Sequence, residues 1–245
     1  MELYIIRHAQ SSNNALRDQA ERVCDPHLTE LGRQQAVRIA RHLAEEPHPE
    51  QRHGRDPEET SVETVAGYGI ARLYCSAMHR SLETATTIGT AIGVRPEIWI
   101  DLHEHGGIFL DHRDERGVVG YPGMTRREIE TKFPTAVVGD GVREAGWWDP
   151  SAGEEAWPTC QGRAIRVAQE LWRWADDGVD GPVALVSHAG FMEVLLKAML
   201  DRLPGAGLTF YHLNTAITRL DLGPGRELHV RYLNRVPHLP QDLVS

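Results

Sequence analysis

The chain has 245 residues, 41% of them hydrophobic and 25% charged, with 23 glycines, 14 prolines and a formal net charge of −9. That length allows a sizeable core, and no apolar run approaches the roughly 20 residues a membrane-spanning helix needs. The acidic balance argues against the broad basic face of a nucleic-acid binder, while leaving room for a small local cationic pocket.

Apolar runs of strand length alternate with helical patterns along the chain, the signature of a mainly parallel sheet covered on both faces. "LYIIR", from Leu3, reads as a buried strand that runs directly into His8. A helix is predicted from about Thr29, whose hydroxyl can cap it, with Ala36, Ile39, Ala40 and Leu43 on one stripe. From Glu46 to Tyr68 the sequence is polar and aperiodic, so a surface insertion is expected at about 46–68. "IARLYCS" supplies a second strand ending at Ser76, followed by a helix carrying Leu82, Ala85, Ile88 and Ile92. "RPEIWID" is a short third strand. The irregular stretch after it, about 102–158, is expected to form an inserted cap, in which Thr125 to Glu128 is a capping box that starts a helix stopping before Pro134. A helix from about Cys160 to Ala175, closed by Gly178, leads to the fully apolar strand "VALVS". His188 stands just past that strand, and Phe191, Val194, Leu195, Ala198 and Met199 form the stripe of the next helix. Two last strands, "AITRLDLG" and "ELHVRYLN", flank Gly223-Pro224-Gly225 as a hairpin. The expected fold is therefore a single three-layer α/β/α sandwich over residues 1–245.

Cys24, Cys75 and Cys160 are odd in number, far apart and without a C-x-x-C, so neither a disulfide framework nor a zinc module is expected. With no basic leader before the first strand, the expected compartment is the cytoplasm.

Three strand ends lead into chemically active residues: Arg7 and His8 after the first strand, Arg80 one turn into the helix after the second, and His188 after the fourth. Ligands of open α/β sheets bind beyond the carboxyl ends of the strands, so these residues are expected to converge on one crevice. Guanidinium groups match phosphate oxygens bidentately, and helix N-termini add N–H donors. A neutral imidazole is a competent nucleophile, and flanking arginines keep its attacking nitrogen unprotonated. The set suits a phosphate.

Four ordered segments carry a family resemblance: "RHAQSSNN", "DPHLTELGRQQA", "YCSAMHRSLETA" and "VSHAGFMEVLL". Together they resemble the histidine phosphatase, or phosphoglycerate-mutase-like, superfamily over nearly the whole chain. The resemblance implies that His8 is the nucleophile, that Arg7, Arg80, His188 and Asn14 hold the phosphoryl group, and that Glu104 is the proton donor. "GEE" at 153–155 with Arg163, and "LNTAITRL" around Asn214, resemble weaker features of the family. Ala9 stands where glycine is usual, and Gln10 replaces a common glutamate.

The expected activity is hydrolysis of a small phosphorylated metabolite through a phosphohistidine, without metal or other cofactor. Partners in nucleic acid or membrane are not expected, and a homo-oligomer is left open. The nearest alternative is a phosphoglycerate-mutase-type phosphoryl transfer, against which Ala189-Gly190 stands where such mutases carry Gly-Asn. A non-catalytic interaction protein on the same fold is a weaker alternative. His103, His105 and His112 offer a metal-ligand reading of the loop after the third strand, although a solvated loop is the plainer one. His103 and His105 are alternatives to Glu104 as the acid, and Glu83 and Glu193 are competing carboxylates. Trp147 and Trp148 are read as packing within the cap.

Overall fold

A computed structural model of the chain describes residues 1–46, 67–203, 205 and 207–245. Strands β1 (Glu2–Arg7), β2 (Arg72–Cys75), β3 (Pro96–Ile98) and β6 (Val183–Ser187) run parallel, and β7 (Ile217–Leu222) and β8 (Leu228–Arg235) close one edge as an antiparallel hairpin. The sheet order is β3-β2-β6-β1-β7-β8.

Successive side chains of a strand point to opposite faces, and in the central strands both faces are apolar because both are covered. Tyr4 and Ile6 of β1, with Ala184 and Val186 of β6, pack against Ile39 and Leu43 of helix α2 (Glu30–Glu45) and Leu82 and Ile88 of α3 (His79–Ile92). Leu3, Ile5, Val183 and Leu185 face the other way, onto Val167 and Leu171 of α5 (Trp157–Asp176) and Leu195 of α6 (Ala189–Met199). This gives the expected three layers. The described helices include none long and apolar enough to cross a membrane.

The caps follow the sequence. Thr29 accepts the Gly32 amide at 2.9 Å and opens α2, and Thr125 and Glu128 form their reciprocal box at the start of α4 (Arg126–Lys132). Helix α5 begins three residues before its expected start, because Pro158 is tolerated in a first turn where no intrahelical N–H is needed. Three short elements escaped the periodicity reading: the four-residue helix α1 (Ser12–Ala15), and the two strands of an antiparallel pair, β4 (Phe109–Asp111) and β5 (Val118–Gly120), inside the cap region. Strands of three residues are too short to show alternation. Residues 47–66 of the expected polar insertion lie outside the described residues. Ile108, Ile129, Phe133 and Trp147 of the 102–158 region join the same apolar cluster as α2 and α3, which anchors that region beside the sheet's carboxyl edge.

Register sets up the site. Arg7 pairs with Ser187 and Cys75 with Val186, so the residues that follow, His8, Ser76 and His188, leave the sheet at one level. Helix α2 reaches the loop after β1 through Gly32, where an added Cβ would lie 2.0 Å from the Gln10 carbonyl oxygen. Because that neighbour is backbone, Gly32→Ala must separate α2 from the loop. We expect a loss of about 1–3 kcal/mol, measured as a lower urea midpoint at unchanged slope; a wild-type midpoint would show that the loop and α2 are not in obligatory contact.

Candidate active site

His8 is held from several sides. Its N–H donates to the Ser187 carbonyl at 2.9 Å, and its own carbonyl accepts Asn214 Nδ2 at 2.9 Å. The Ala9 amide donates to Thr84 Oγ1 at 3.1 Å. Ala9 lies outside the left-handed backbone region, so no glycine is required there. The His8 ring Nδ1 is 2.7 Å from the Ala9 carbonyl oxygen. A carbonyl only accepts, so Nδ1 carries the hydrogen and the Nε2 lone pair is left to accept Arg80 Nε at 3.1 Å. Burial, then Arg80 and Arg7, keep this imidazole well below the ordinary histidine range, hence neutral.

His188 caps α6 with its ring centroid 4.9 Å from that of His8. Its Nε2 lies 2.7 Å from Ser76 Oγ, which also accepts the Met78 amide at 3.3 Å. Ser76 Oγ is buried and has no other acceptor for its proton among the described residues, so the hydroxyl proton is assigned to Nε2 and the proton of the neutral ring to Nδ1, which is buried with no hydrogen-bond partner. Burial is the first cause of its lowered pKa, followed by Arg80 and His8. Arg7 donates from Nη1 to the His212 carbonyl at 2.7 Å, while its buried Nε makes no hydrogen bond. Arg80 is fixed by His8 and by Asp25, 3.9 Å from its Nη1. Two unspent donors, two guanidinium groups and an imidazole lone pair share one neighbourhood. Such an arrangement receives an anion and can attack it.

Glu104 Oε1 accepts the Phe191 and His105 amides, each at 2.9 Å, and Oε2 accepts the Gly190 amide at 3.2 Å. The carboxylate therefore sits on the N-terminus of α6, where backbone donors and the helix dipole favour it. Its charge also opposes the effect of burial on Arg7 and Arg80. A Cβ on Gly190 would come within 2.6 Å of Glu104 Oε1, which explains a glycine two residues after His188. Behind Glu104, Arg163 donates to the carbonyls of Asp101 (2.6 Å) and His103 (2.8 Å) while paired with Glu155 at 2.6 Å. The weak "GEE" and Arg163 feature is a buried clamp on the segment that delivers Glu104.

Asn14 is more peripheral. Its Oδ1 accepts the Ser11 amide at 3.1 Å and Ser11 Oγ at 3.0 Å, and Asn214 Nδ2 approaches it at 3.5 Å. Asn13, Asp25 and His212 are contributors that sequence reasoning missed: Asn13 exchanges two hydrogen bonds with Val23, Asp25 steadies Arg80, and His212 takes a bond from Arg7. No motif marks them, since their partners are distant or are backbone atoms. The competing carboxylates are engaged elsewhere, Glu83 with Leu28 and His79 and Glu193 with Lys197. The three loop histidines do not meet: His103 donates to the Ile100 carbonyl, His105 stacks on Trp157 with centroids 3.7 Å apart, and His112 bonds the Tyr121 hydroxyl. Trp147 is buried, and Trp148 donates to the Gly153 carbonyl at 3.2 Å, as packing residues would.

Two cavities adjoin the site. One of about 690 Å³ lies on the Arg7 side and includes Trp157, Gln161, Gly190, Phe210 and Tyr211 in its wall. A narrower one of about 110 Å³ lies on the Arg80 and Glu104 side, with Arg22, Phe109 and Arg113.

A model of the histidine phosphatase superfamily (branch 1) matches residues 3–50 and 51–235. The chain belongs to this superfamily. The glucosyl-3-phosphoglycerate phosphatase of Mycolicibacterium vanbaalenii is 28% identical over 242 residues, covering 94% of this chain and 91% of the relative. Among solved structures, "Mycobacterial hydrolase 1" has a TM-score of 0.57 at 22% identity, covering 96% of this chain and 98% of its own. A mycobacterial glucosyl-3-phosphoglycerate phosphatase bound to VO3 has a TM-score of 0.55 at 22% identity, covering 96% and 99%. The α/β/α fold and the reaction class, phosphoric monoester hydrolysis, are those expected from the sequence.

Burial of neutral histidines makes the fold acid-sensitive. Burial first, then Arg163 for His103, Arg7 for His212 and His42 for His238, pushes these rings down to about 3, 4 and 3. The unfolded chain binds protons at these sites near the ordinary histidine value of about 6.5, whereas the folded chain does not until much lower pH. Stability is thus full above about 6.5 and lost as pH falls towards the folded values, each ring contributing up to roughly 1.4 kcal/mol per pH unit. A urea midpoint clearly lower at pH 5.5 than at pH 7.5 is expected; a midpoint that is flat across that range would show these rings to be protonated in the folded state.

Proposed function

We propose that the protein hydrolyses the phosphomonoester of a small carboxylate-bearing metabolite, with a glycosylated phosphoglycerate as the first substrate to test. The observation that carries this reading is the pair of unspent buried donors, Arg7 Nε and His188 Nδ1, around the His8 Nε2 lone pair. The named relatives, phosphatases of glucosyl-3-phosphoglycerate, support the choice of substrate.

In this reading the phosphoryl oxygens are held by Arg7, Arg80 and His188, with Asn14 at the rim. Arg80 turns from the His8 lone pair to the phosphate, and Nε2 attacks phosphorus in line with the departing oxygen. Arginine charge, already desolvated, stabilises the transferring group without solvent reorganisation. The substrate enters as the phosphate monoanion and passes its proton to Glu104 Oε2, the oxygen that accepts only the longer amide bond; Glu104 then gives that proton to the leaving alkoxide and returns to the carboxylate. The same carboxylate then takes a proton from the water that cleaves the phosphohistidine. Residues 102–158 act as the cap over this chemistry. The arginines Arg22 and Arg113 in the narrow cavity suit a substrate carboxylate, and the wider cavity, with Trp157 as an apolar platform, has room for a sugar ring. The three free thiols suit a reducing compartment, in keeping with a cytoplasmic enzyme.

Two experiments test the reading. With EDTA present, phosphate release is followed from glucosyl-3-phosphoglycerate, 3-phosphoglycerate and p-nitrophenyl phosphate. Arg113→Ala is expected to lower kcat/KM about 10-fold or more for the two carboxylates and little for p-nitrophenyl phosphate, because a lost charge-assisted hydrogen bond costs roughly 1.5–3 kcal/mol. Equal losses on all three would place the carboxylate elsewhere. Glu104→Gln should slow the phosphorylation step much more for an alkyl phosphate than for p-nitrophenyl phosphate, whose leaving group hardly needs a proton. Equal slowing in rapid-quench measurements would exclude Glu104 as the acid.

A further inference from the structure

Outside the crevice, one cluster of ligating side chains has no part in the chemistry described. His79 and Glu83 stand one turn apart on the first half of α3, with His79 Nδ1 3.2 Å from Glu83 Oε2. The ring of His27, from the loop before α2, packs on that of His79 with centroids 3.7 Å apart and planes at 58°. One ligand atom from each of the three residues lies within 4.8 Å of the other two. We propose that His27, His79 and Glu83 form a binding site for a divalent transition-metal ion of the zinc type.

The arrangement has the features such a site requires. Tetrahedral zinc bound at about 2.0–2.1 Å needs its ligand atoms about 3.4 Å apart. The His79–Glu83 separation already meets that distance. His27 is exposed and can rotate to close the remaining gap. Residues i and i+4 of a helix share one face, so α3 presents an imidazole and a carboxylate together, and the loop adds the third donor. The carboxylate is also positioned: Glu83 Oε2 accepts the Leu28 amide at 2.7 Å, which ties the helix to the segment carrying His27. A helix pair of His79 and Glu83 alone would be an ordinary ion pair; a second imidazole in van der Waals contact with the first is not needed for it.

The surroundings decide the type of ion. Lys132 and Arg33 bring positive charge towards His27. A hard cation held by charge alone, such as Mg²⁺ or Ca²⁺, is disfavoured by those neighbours and by having two nitrogen donors. An ion that forms strong bonds to imidazole, such as Zn²⁺ or Co²⁺, is not. Two histidines and one carboxylate leave a fourth position for water. The site also borders the catalytic wall without belonging to it: the His79 amide donates to Asp25 Oδ1 at 3.0 Å, and the same carboxylate oxygen lies 3.9 Å from Arg80 Nη1. This inference does not depend on the phosphatase reading.

The test uses the full chain without an affinity tag, stripped with EDTA. Zn²⁺ binding is measured by calorimetry, and Co²⁺ binding by its visible ligand-field spectrum. One equivalent is expected to bind. His27→Ala, at an exposed position, and Glu83→Gln should each weaken binding at least 10-fold and remove the cobalt spectrum, with circular dichroism confirming the fold. Absence of stoichiometric binding to the wild type, or wild-type affinity in both variants, would overturn the proposal.

Discussion

The hydrogen bond from His8 Nδ1 to the Ala9 carbonyl is the constraint on which the site turns. It fixes the ring, assigns its proton to the side facing the backbone and leaves Nε2 as the only nitrogen able to attack. The bond is made within one short loop, and the rest of the molecule holds that loop still. Strand β6 takes the His8 amide, Asn214 takes its carbonyl, Thr84 takes the Ala9 amide, and α2 presses on Gln10 through Gly32. Four distant segments thus converge on three consecutive residues. In the proposed attack, a ring with one usable nitrogen needs no general base, since its neutral form is maintained by burial and by the two arginines.

Buried guanidinium groups are costly, and a cation left without full hydrogen bonding costs more. The site accepts that cost. Arg7 keeps one buried N–H without a partner, as does His188. Glu104 and Asp25 offset part of the positive charge without occupying those donors. In the reaction proposed above, an oxyanion entering the site relieves this destabilisation, so binding energy goes to the group that is transferred. Glu104 itself is placed from two sides, by the N-terminus of α6 and by the Arg163–Glu155 clamp, so the carboxylate is positioned by parts of both helices on one face of the sheet.

Much of this was legible in the sequence, for identifiable reasons. The strands VALVS and LYIIR are apolar on both faces, so the covered sheet and its parallel order could be read directly. His8 and His188 stand at strand ends, and Arg80 lies four residues beyond Ser76; chain order alone gathers them. What could not be read is contact between remote positions. Arg7 bonds to the carbonyl of His212, 205 residues away, and nothing in either local sequence announces it. Asp25 sits beside Arg80 because α3 begins against the loop before α2. The β4–β5 pair has three-residue strands around a polar turn, too short to leave a period. His27 and His79 looked unremarkable among 13 histidines until the fold laid one ring on the other.

The regiochemistry of the phosphoenzyme tests the central claim most directly. The enzyme is mixed with substrate and quenched in alkali within the first turnover, and the phosphorylated residue and its ring nitrogen are assigned by ³¹P NMR and fragmentation of the labelled peptide. A phosphoryl group on His8 Nε2, absent in His8→Ala, is the result that the hydrogen bond to Ala9 predicts. Phosphate on Nδ1 of His8, on His188, or no phosphohistidine during turnover would contradict it.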